Sequence, residues 1–314
     1  MKKKAIIISI KGYQLSKNEK RLLTHEKPWG LILFKRNIKS LAQLKKLTKE
    51  IRKNTKDRKF PVMIDEEGGA VSRLNKIINH NVCQKNFGEL YEINNKMGLI
   101  IYKNYINNLA NFLKKTGINI NTVPVLDVIR KNTNKIIGNR SFSKNPNTVK
   151  KLGQVCVKQY EINRLGTIIK HIPGHGCATK DSHIKMPIVN LSYASLKKID
   201  FLPFKLNSSR FAMTAHILYS KIDKLNVATF SKKIISKVIR KKIGFKGILI
   251  SDDISMKALK YDLTTNAQKS LLAGCNIVLY CAGKYKDSSK LIKAVPFIDK
   301  FTEKKTSEFY KFLR

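Results

Sequence analysis

The five cysteines of this chain, Cys83, Cys156, Cys177, Cys275 and Cys281, include no Cys-x-x-Cys pair. Their odd number and scattered spacing argue against a disulfide framework and fit a reducing compartment. No apolar run approaches the roughly 20 residues of a membrane helix. The run that follows Met1-Lys2-Lys3-Lys4 falls short of the roughly 7–15 residues of a signal-peptide core, and no small-residue cleavage site follows it. Linkers and low-complexity tracts are missing too, so one domain over 1–314 is expected. Acidic residues are scarce: 21 Asp and Glu stand against 63 Lys and Arg, a formal charge of +42. Such a surplus often marks a nucleic-acid or anionic-surface partner. Here the basic residues are mostly Lys, spread along the whole chain beside abundant Asn and Ile, as in the translation of an AT-rich genome. No zinc-finger spacing or RNA-binding aromatic motif occurs. The composition therefore predicts a soluble, cytoplasmic protein with no specific nucleic-acid partner and no membrane span; a monomer is expected.

What the chain does have is one dense polar stretch. Lys170-His171-Ile172-Pro173-Gly174-His175-Gly176 runs on through Asp181-Ser182-His183 and holds three of the six His. It follows the apolar run Gly166-Thr167-Ile168-Ile169, which reads as a buried strand. A strand thus ends near Lys170 and a turn-rich loop begins, the kind of place where a rigid scaffold carries chemistry.

Apolar runs of strand length recur at 5–10, 30–34, 60–65, 118–128, 166–170, 211–216, 247–252 and 276–281. Most show little alternation, as strands covered on both faces do. Helical spacing fills the gaps: Leu41, Leu44, Leu47 and Ile51; Ile100, Ile101, Tyr105, Leu109 and Leu113; and Ile234, Ile235, Val238 and Ile239, with Ser231 as N-cap. The Lys-rich tail after Lys284 is expected to close the fold as a helix. Eight strand–helix units predict an α/β fold, a single-domain (β/α)8 TIM barrel.

Such barrels carry their sites at the C-terminal strand ends, and polar residues collect there. The third run ends in Asp65-Glu66-Glu67-Gly68-Gly69, and the fourth near Asp127. The fifth ends in Lys170-His171, the sixth in His216, the seventh in Ser251-Asp252-Asp253. A helix cap would account for one of these ends but not for five.

These ends also carry a resemblance. The stretch from Lys170 to His183 resembles the signature of the family 3 glycoside hydrolases, and is most similar to that of the bacterial β-N-acetylhexosaminidases of cell-wall recycling. Further motifs follow in the family's order. They are Gly30-Leu-Ile-Leu-Phe-Lys-Arg-Asn37, Asp65-Glu-Glu-Gly-Gly-Ala-Val-Ser-Arg73, Asn121-Thr-Val-Pro-Val-Leu-Asp127, Ile137-Gly-Asn-Arg-Ser-Phe142, Met213-Thr-Ala-His216 and Ser251-Asp-Asp-Ile-Ser-Met256. Departures are Ala70, where the family often has Arg, Ile172 in place of an aromatic, and Cys177-Ala178 in place of more polar residues.

Retaining glycoside hydrolysis needs a nucleophile on one face of the sugar and a proton donor at the leaving oxygen, ordinarily two carboxyl groups. Asp252 and Asp253 compete for the first role. Adjacent strand residues point to opposite faces, so one of them faces the barrel mouth, and the residue pattern does not choose. The resemblance puts the nucleophile on Asp252 and leaves Asp253 to cap the next turn. It also makes His183 the acid/base with Asp181 as its partner, an arrangement in which a carboxylate fixes the imidazole tautomer and stabilises its charged form. By the same resemblance Asp65, Arg73, Arg140, Lys170 and His171 bind N-acetylglucosamine. No cofactor or metal is implied. The expected partner is a saccharide or muropeptide carrying 1,6-anhydro-N-acetylmuramic acid, cleaved by an exo-acting enzyme. Two other readings stand beside it: a related β-glycosidase acting on glucosides or chitin oligosaccharides, and an inactive basic barrel associated with nucleic acid or the envelope. The Asp-His pair favours the first reading over the former, and the presence of Asp181, His183 and Asp252 argues against the latter.

Overall fold

The structure, a computed structural model, describes residues 2–78, 80–182 and 184–314. The expected runs form strands β1 (Lys4–Ile8), β2 (Pro28–Leu33), β3 (Val62–Ile64), β4 (Ile120–Asn121), β5 (Gly166–Ile172), β7 (Phe211–Thr214), β9 (Ile248–Asp253) and β10 (Ile277–Leu279). They close into a barrel in the order β1-β10-β9-β7-β5-β4-β3-β2, and every pairing within it is parallel. A separate parallel pair, β6 (Ile188–Val189) with β8 (Leu218–Tyr219), ties the loop after β5 to the loop after β7. Strands of two residues have no readable period, and the pair was not foreseen.

Helices alternate with the strands. They are α1 (Lys17–His25), α2 (Leu41–Thr55), α3 (Gln84–Ile93), α4 (Asn95–Lys115), α5 (Pro146–Ile162), α6 (Tyr193–Lys198), a π-helical segment (Ile234–Ile243), α7 (Leu263–Ala273), α8 (Tyr285–Ala294) and α9 (Lys300–Phe312). Ser231 accepts the Ile234 N–H, as its predicted capping role requires. Three details differ from expectation. The fourth strand is two residues long instead of the run 118–128, because Pro124 brings no N–H to a ladder; Val125 then meets β5 only through a single bridge to Lys170. Helix α4 turns Tyr102, Ile106, Leu109 and Leu113 inward and leaves Ile100 and Ile101 exposed. The tail after Lys284 forms two helices, not one.

The second of these has a definite task. Alternate strand residues point into the barrel, among them Ile7, Trp29, Phe211 and Ile248, and Phe309 and Phe312 of α9 join that inner cluster. Phe309 meets Phe211 edge-on with centroids 5.0 Å apart, and Trp29 Nε1 donates to Thr306 Oγ1 at 2.8 Å. Trp29 and Phe211 lie at the N-terminal ends of β2 and β7, so α9 plugs the bottom of the barrel. The opposite, C-terminal end stays open.

Candidate active site

At that open end a cavity of about 140 Å³ is lined by Asp65, Arg73, Thr122, Arg140, Lys170, His171, His175, Ser182, Asp252 and Asp253, with Phe34, Met213, Met256 and Cys281 among its apolar walls. Six residues expected at the site from the sequence, Asp65, Arg73, Arg140, Lys170, His171 and Asp252, therefore meet in one place although up to 187 positions separate them in the chain. Asp181 is half-buried on the adjoining loop, outside the lining. His183 lies outside the described residues.

The positive side of the cavity is held by two carboxylates. Asp65 follows β3. Its Oδ1 accepts from Lys170 Nζ and Thr122 Oγ1, both at 2.5 Å, and its Oδ2 accepts from Arg73 Nη2 at 2.5 Å. Burial alone would push the Asp65 pKa up; Lys170 and Arg73 outweigh it and hold the carboxyl well below the usual carboxylate range. Glu67 grips Arg140 through both oxygens, from Nε at 2.7 Å and Nη2 at 2.8 Å, and lies 2.5 Å from Lys170 Nζ. Burial opposes ionisation here as well, and Arg140 and Lys170 again prevail, lowering the Glu67 pKa. Glu66, its neighbour, turns the other way and accepts the backbone N–H groups of Arg73 and Leu74 at 2.7 and 2.9 Å, which fixes the turn bearing Arg73. Arg73 Nε is buried and has no hydrogen-bond partner among the described residues.

A third carboxylate, Asp127, organises the loop after β5. Its Oδ2 lies 2.7 Å from His171 Nδ1, and its Oδ1 accepts the His175 N–H at 2.6 Å. This orients the His171 ring and leaves Nε2 as its other polar atom. The loop sits tightly on residue 128: a Cβ on Gly176 would come within 1.8 Å of the Val128 carbonyl oxygen, so only glycine fits.

The adjacent aspartates after Ser251 both line the cavity, although only one was expected to face it, but their hydrogen bonds differ. The Asp253 carboxylate accepts from Ser255 N–H at 3.1 Å, Ser255 Oγ at 2.7 Å and the Cys281 N–H at 3.2 Å. Burial raises its pKa, and those hydrogen bonds only partly offset the rise. It caps the turn, as expected. Asp252 Oδ1 accepts the Asp253 N–H at 2.8 Å. His216 stands behind this strand end, with Nε2 donating to the Asp253 carbonyl at 3.0 Å and Nδ1 2.7 Å from Thr229 Oγ1. Burial lowers its pKa, so a neutral ring braces the end of β9.

Sequence reasoning missed Glu67, Thr122 and Ser182, and read His175 only as a residue that shapes the loop. Glu67 and His175 stand inside recognised motifs, but nothing in a motif says which of two adjacent Glu faces the cations. Among the described residues no group of three or more His, Cys, Asp or Glu could hold a metal ion, and no helix is long and apolar enough to cross a membrane.

Comparison with known proteins agrees with this architecture. Residues 2–306 match the model of the glycosyl hydrolase family 3 N terminal domain. A beta-hexosaminidase of Thioalkalivibrio sulfidiphilus is 34% identical over 282 residues, 88% of this chain and 80% of that protein. One from Neisseria meningitidis serogroup C is 33% identical over 282 residues, 88% of this chain and 77% of that protein. Among solved structures, NagZ from Neisseria gonorrhoeae in complex with N-trifluoroacetyl-D-glucosamine superimposes with a TM-score of 0.88 at 28% identity, covering 100% of this chain and 91% of that one.

Proposed function

Because this chain belongs to glycosyl hydrolase family 3, we propose that it is a retaining exo-β-N-acetylglucosaminidase. It removes terminal non-reducing β-1,4-linked N-acetylglucosamine, and its physiological substrates are 1,6-anhydro-muropeptides of cell-wall recycling in the cytoplasm. The beta-hexosaminidase relatives support the reaction class, and the N-acylated glucosamine bound by the gonococcal protein supports the sugar.

In this reading the Asp252 carboxylate attacks the anomeric carbon and forms a glycosyl ester, while His183 gives its proton to the departing oxygen. His183 then takes a proton from water, which attacks the same carbon and releases Asp252. Asp181 orients the imidazole and stabilises its charged form. Lys170, Arg73 and Arg140, with Asp65 and His171, hold the sugar's oxygens. The three cations are already fixed by Asp65 and Glu67, so little reorganisation opposes binding.

The observation that carries the proposal is the divergence of Asp252 and Asp253. Both line the cavity, and the Asp253 carboxylate is committed to two donors of its own turn, the Ser255 N–H and Oγ, and to the Cys281 N–H. The experiment is hydrolysis of an aryl β-N-acetylglucosaminide beside the matching aryl β-glucoside. Together with it, a slow-releasing fluoroglycoside traps the ester for peptide mass spectrometry. Turnover of the N-acetyl substrate with the adduct on Asp252 is expected. Preference for the glucoside would overturn the substrate class, and an adduct on Asp253 would overturn the nucleophile.

A further inference from the structure

We propose that His175 and Ser182 are positioning residues: the hydrogen bond between them holds Ser182 within its loop, and the Ser182 carbonyl ties that segment, which bears the proton donor, to the turn after the strand end bearing Asp252. The proposal rests on the reading above, in which His183 is the donor.

The stretch around the donor is poorly buried on its own. Lys180, Ile184 and Lys185 are exposed and Asp181 and Met186 half-buried, whereas Ser182 is 4% exposed. Ser182 is held on two sides. Its Oγ lies 3.2 Å from His175 Nε2, and its carbonyl accepts the Ala258 N–H at 3.1 Å. The Ala258 bond therefore ties the backbone of Ser182, the residue just before the proposed donor in the chain, to the turn after β9. Ala258 lies in the turn that follows β9, five residues past Asp253. The clamp therefore spans the two loops that the mechanism needs in register.

His175 can serve as the fixed jaw because it is itself immobilised. Its N–H is bound to Asp127, its ring packs edge-on to His171 with centroids 5.6 Å apart, and it is 3% exposed. Burial, with His171 adding and Asp127 opposing, lowers its pKa to about 4. The ring is neutral at assay pH and carries one proton. Nδ1 is buried with no partner among the described residues. An unpaired acceptor is better tolerated than an unpaired N–H, so the proton belongs on Nε2, donated to Ser182 Oγ.

A donor must lie within hydrogen-bond reach of the leaving oxygen. Loosening the clamp should therefore harm the substrates that need protonation and spare those that do not. The test uses the full chain with Ser182→Ala, His175→Ala, His175→Gln and His183→Ala, each checked by circular dichroism. Two substrates are compared, a β-1,4-linked N-acetylglucosaminyl saccharide and a dinitrophenyl β-N-acetylglucosaminide, with the glycosylation step of the aryl glycoside read from its pre-steady-state burst. For the saccharide, Ser182→Ala should lower kcat roughly 10- to 100-fold with KM changed less than about twofold, and for the aryl glycoside the glycosylation step should change less than about threefold. His175→Gln, whose amide can still donate, should keep more activity than His175→Ala. Equal losses on both substrates, or an effect confined to KM, would overturn the clamp if His183→Ala still discriminates between the substrates. If His183→Ala itself fails to discriminate, the donor assignment falls and the clamp falls with it.

Discussion

Glu67 and Arg140 form a bidentate pair at 2.7 and 2.8 Å across the wall of the cavity, with the Lys170 ammonium 2.5 Å from the same carboxylate. Glu67 is 5% exposed, so Arg140 depends on a charge that water cannot replace, and Lys170 shares its charge between Glu67 and Asp65. Removing one partner of a buried ionic pair leaves the other uncompensated. Glu67→Ala should cost roughly 3–5 kcal/mol of stability. Glu67→Gln, which keeps one acceptor oxygen, should cost less. In both variants Arg140 and Lys170 lose their register, so kcat/KM for the N-acetylglucosaminide should fall roughly tenfold or more, chiefly through KM. Chemical denaturation and steady-state kinetics on the two variants check this. Wild-type kcat/KM in Glu67→Gln would show that the pair is structural only.

The neighbouring aspartates at the end of β9 should separate cleanly. Asp252→Ala removes the proposed nucleophile and should abolish turnover, with a loss of roughly 10⁴-fold or more and an unchanged fold. Asp253→Ala removes acceptors for Ser255 and Cys281 and should lower the melting temperature while keeping more activity. With both variants folded, a larger loss of kcat in Asp253→Ala than in Asp252→Ala would reverse the assignment.

Phe309 offers a control at the far end of the barrel. Its ring packs on Phe211 and under Gly166, where an added Cβ would lie only 2.9 Å from it. Truncation opens a cavity among the inward residues of the strands. Phe309→Ala should destabilise by roughly 3–5 kcal/mol. At 25 °C, below its lowered melting point, kcat/KM should match wild type, because the plug and the cavity lie at opposite ends. A selective loss of activity in the folded variant would mean that the plug sets the geometry of the mouth.

The barrel was legible because eight apolar runs alternate with helical spacing, a pattern that parallel strands covered on both faces must produce. The cavity was legible because polar residues stand at the strand ends. What remained hidden is tertiary. Glu66 and Glu67 look alike in the chain, and only the fold turns one to backbone N–H groups and the other to Arg140. Phe309 and Phe312 read as the apolar stripe of a Lys-rich helix, and nothing in their spacing says that they enter the barrel. Pro124 cut the fourth strand short, a consequence that its missing N–H could have signalled. Ser182 passes in the sequence for an ordinary loop residue between Asp181 and His183. Its burial depends on His175, seven positions earlier, and on Ala258, across the mouth.

His175 also sets a pH dependence of stability. An exposed His in the unfolded chain has a pKa of about 6.5, and burial lowers the folded value to about 4. Between those two values the unfolded chain binds a proton that the native protein refuses. Falling pH therefore favours unfolding across that window, and the loss is complete once pH drops below the folded value. A shift of this size corresponds to about 3 kcal/mol. His216, whose pKa burial also lowers, acts in the same direction. Asp65, Glu67 and Asp127 act in a different window. Burial pushes each of them up, but the lysine and arginines beside Asp65 and Glu67, and the His171 ring and His175 N–H bound to Asp127, hold all three folded values below their ordinary ones. The stability they contribute is present above the unfolded pKa of about 4 and is lost as pH falls through their lower folded values. Wild type should therefore weaken in two stages, first from about pH 6.5 to 4 and then below about pH 4. His175→Gln removes one titrating group from the first stage and none from the second. Urea midpoints at pH 7.5, 5.5 and 4.5 should fall less steeply in His175→Gln than in wild type. Equal slopes in the two proteins would mean that His175 is not held neutral by burial, and that the proton assigned to its Nε2 needs another explanation.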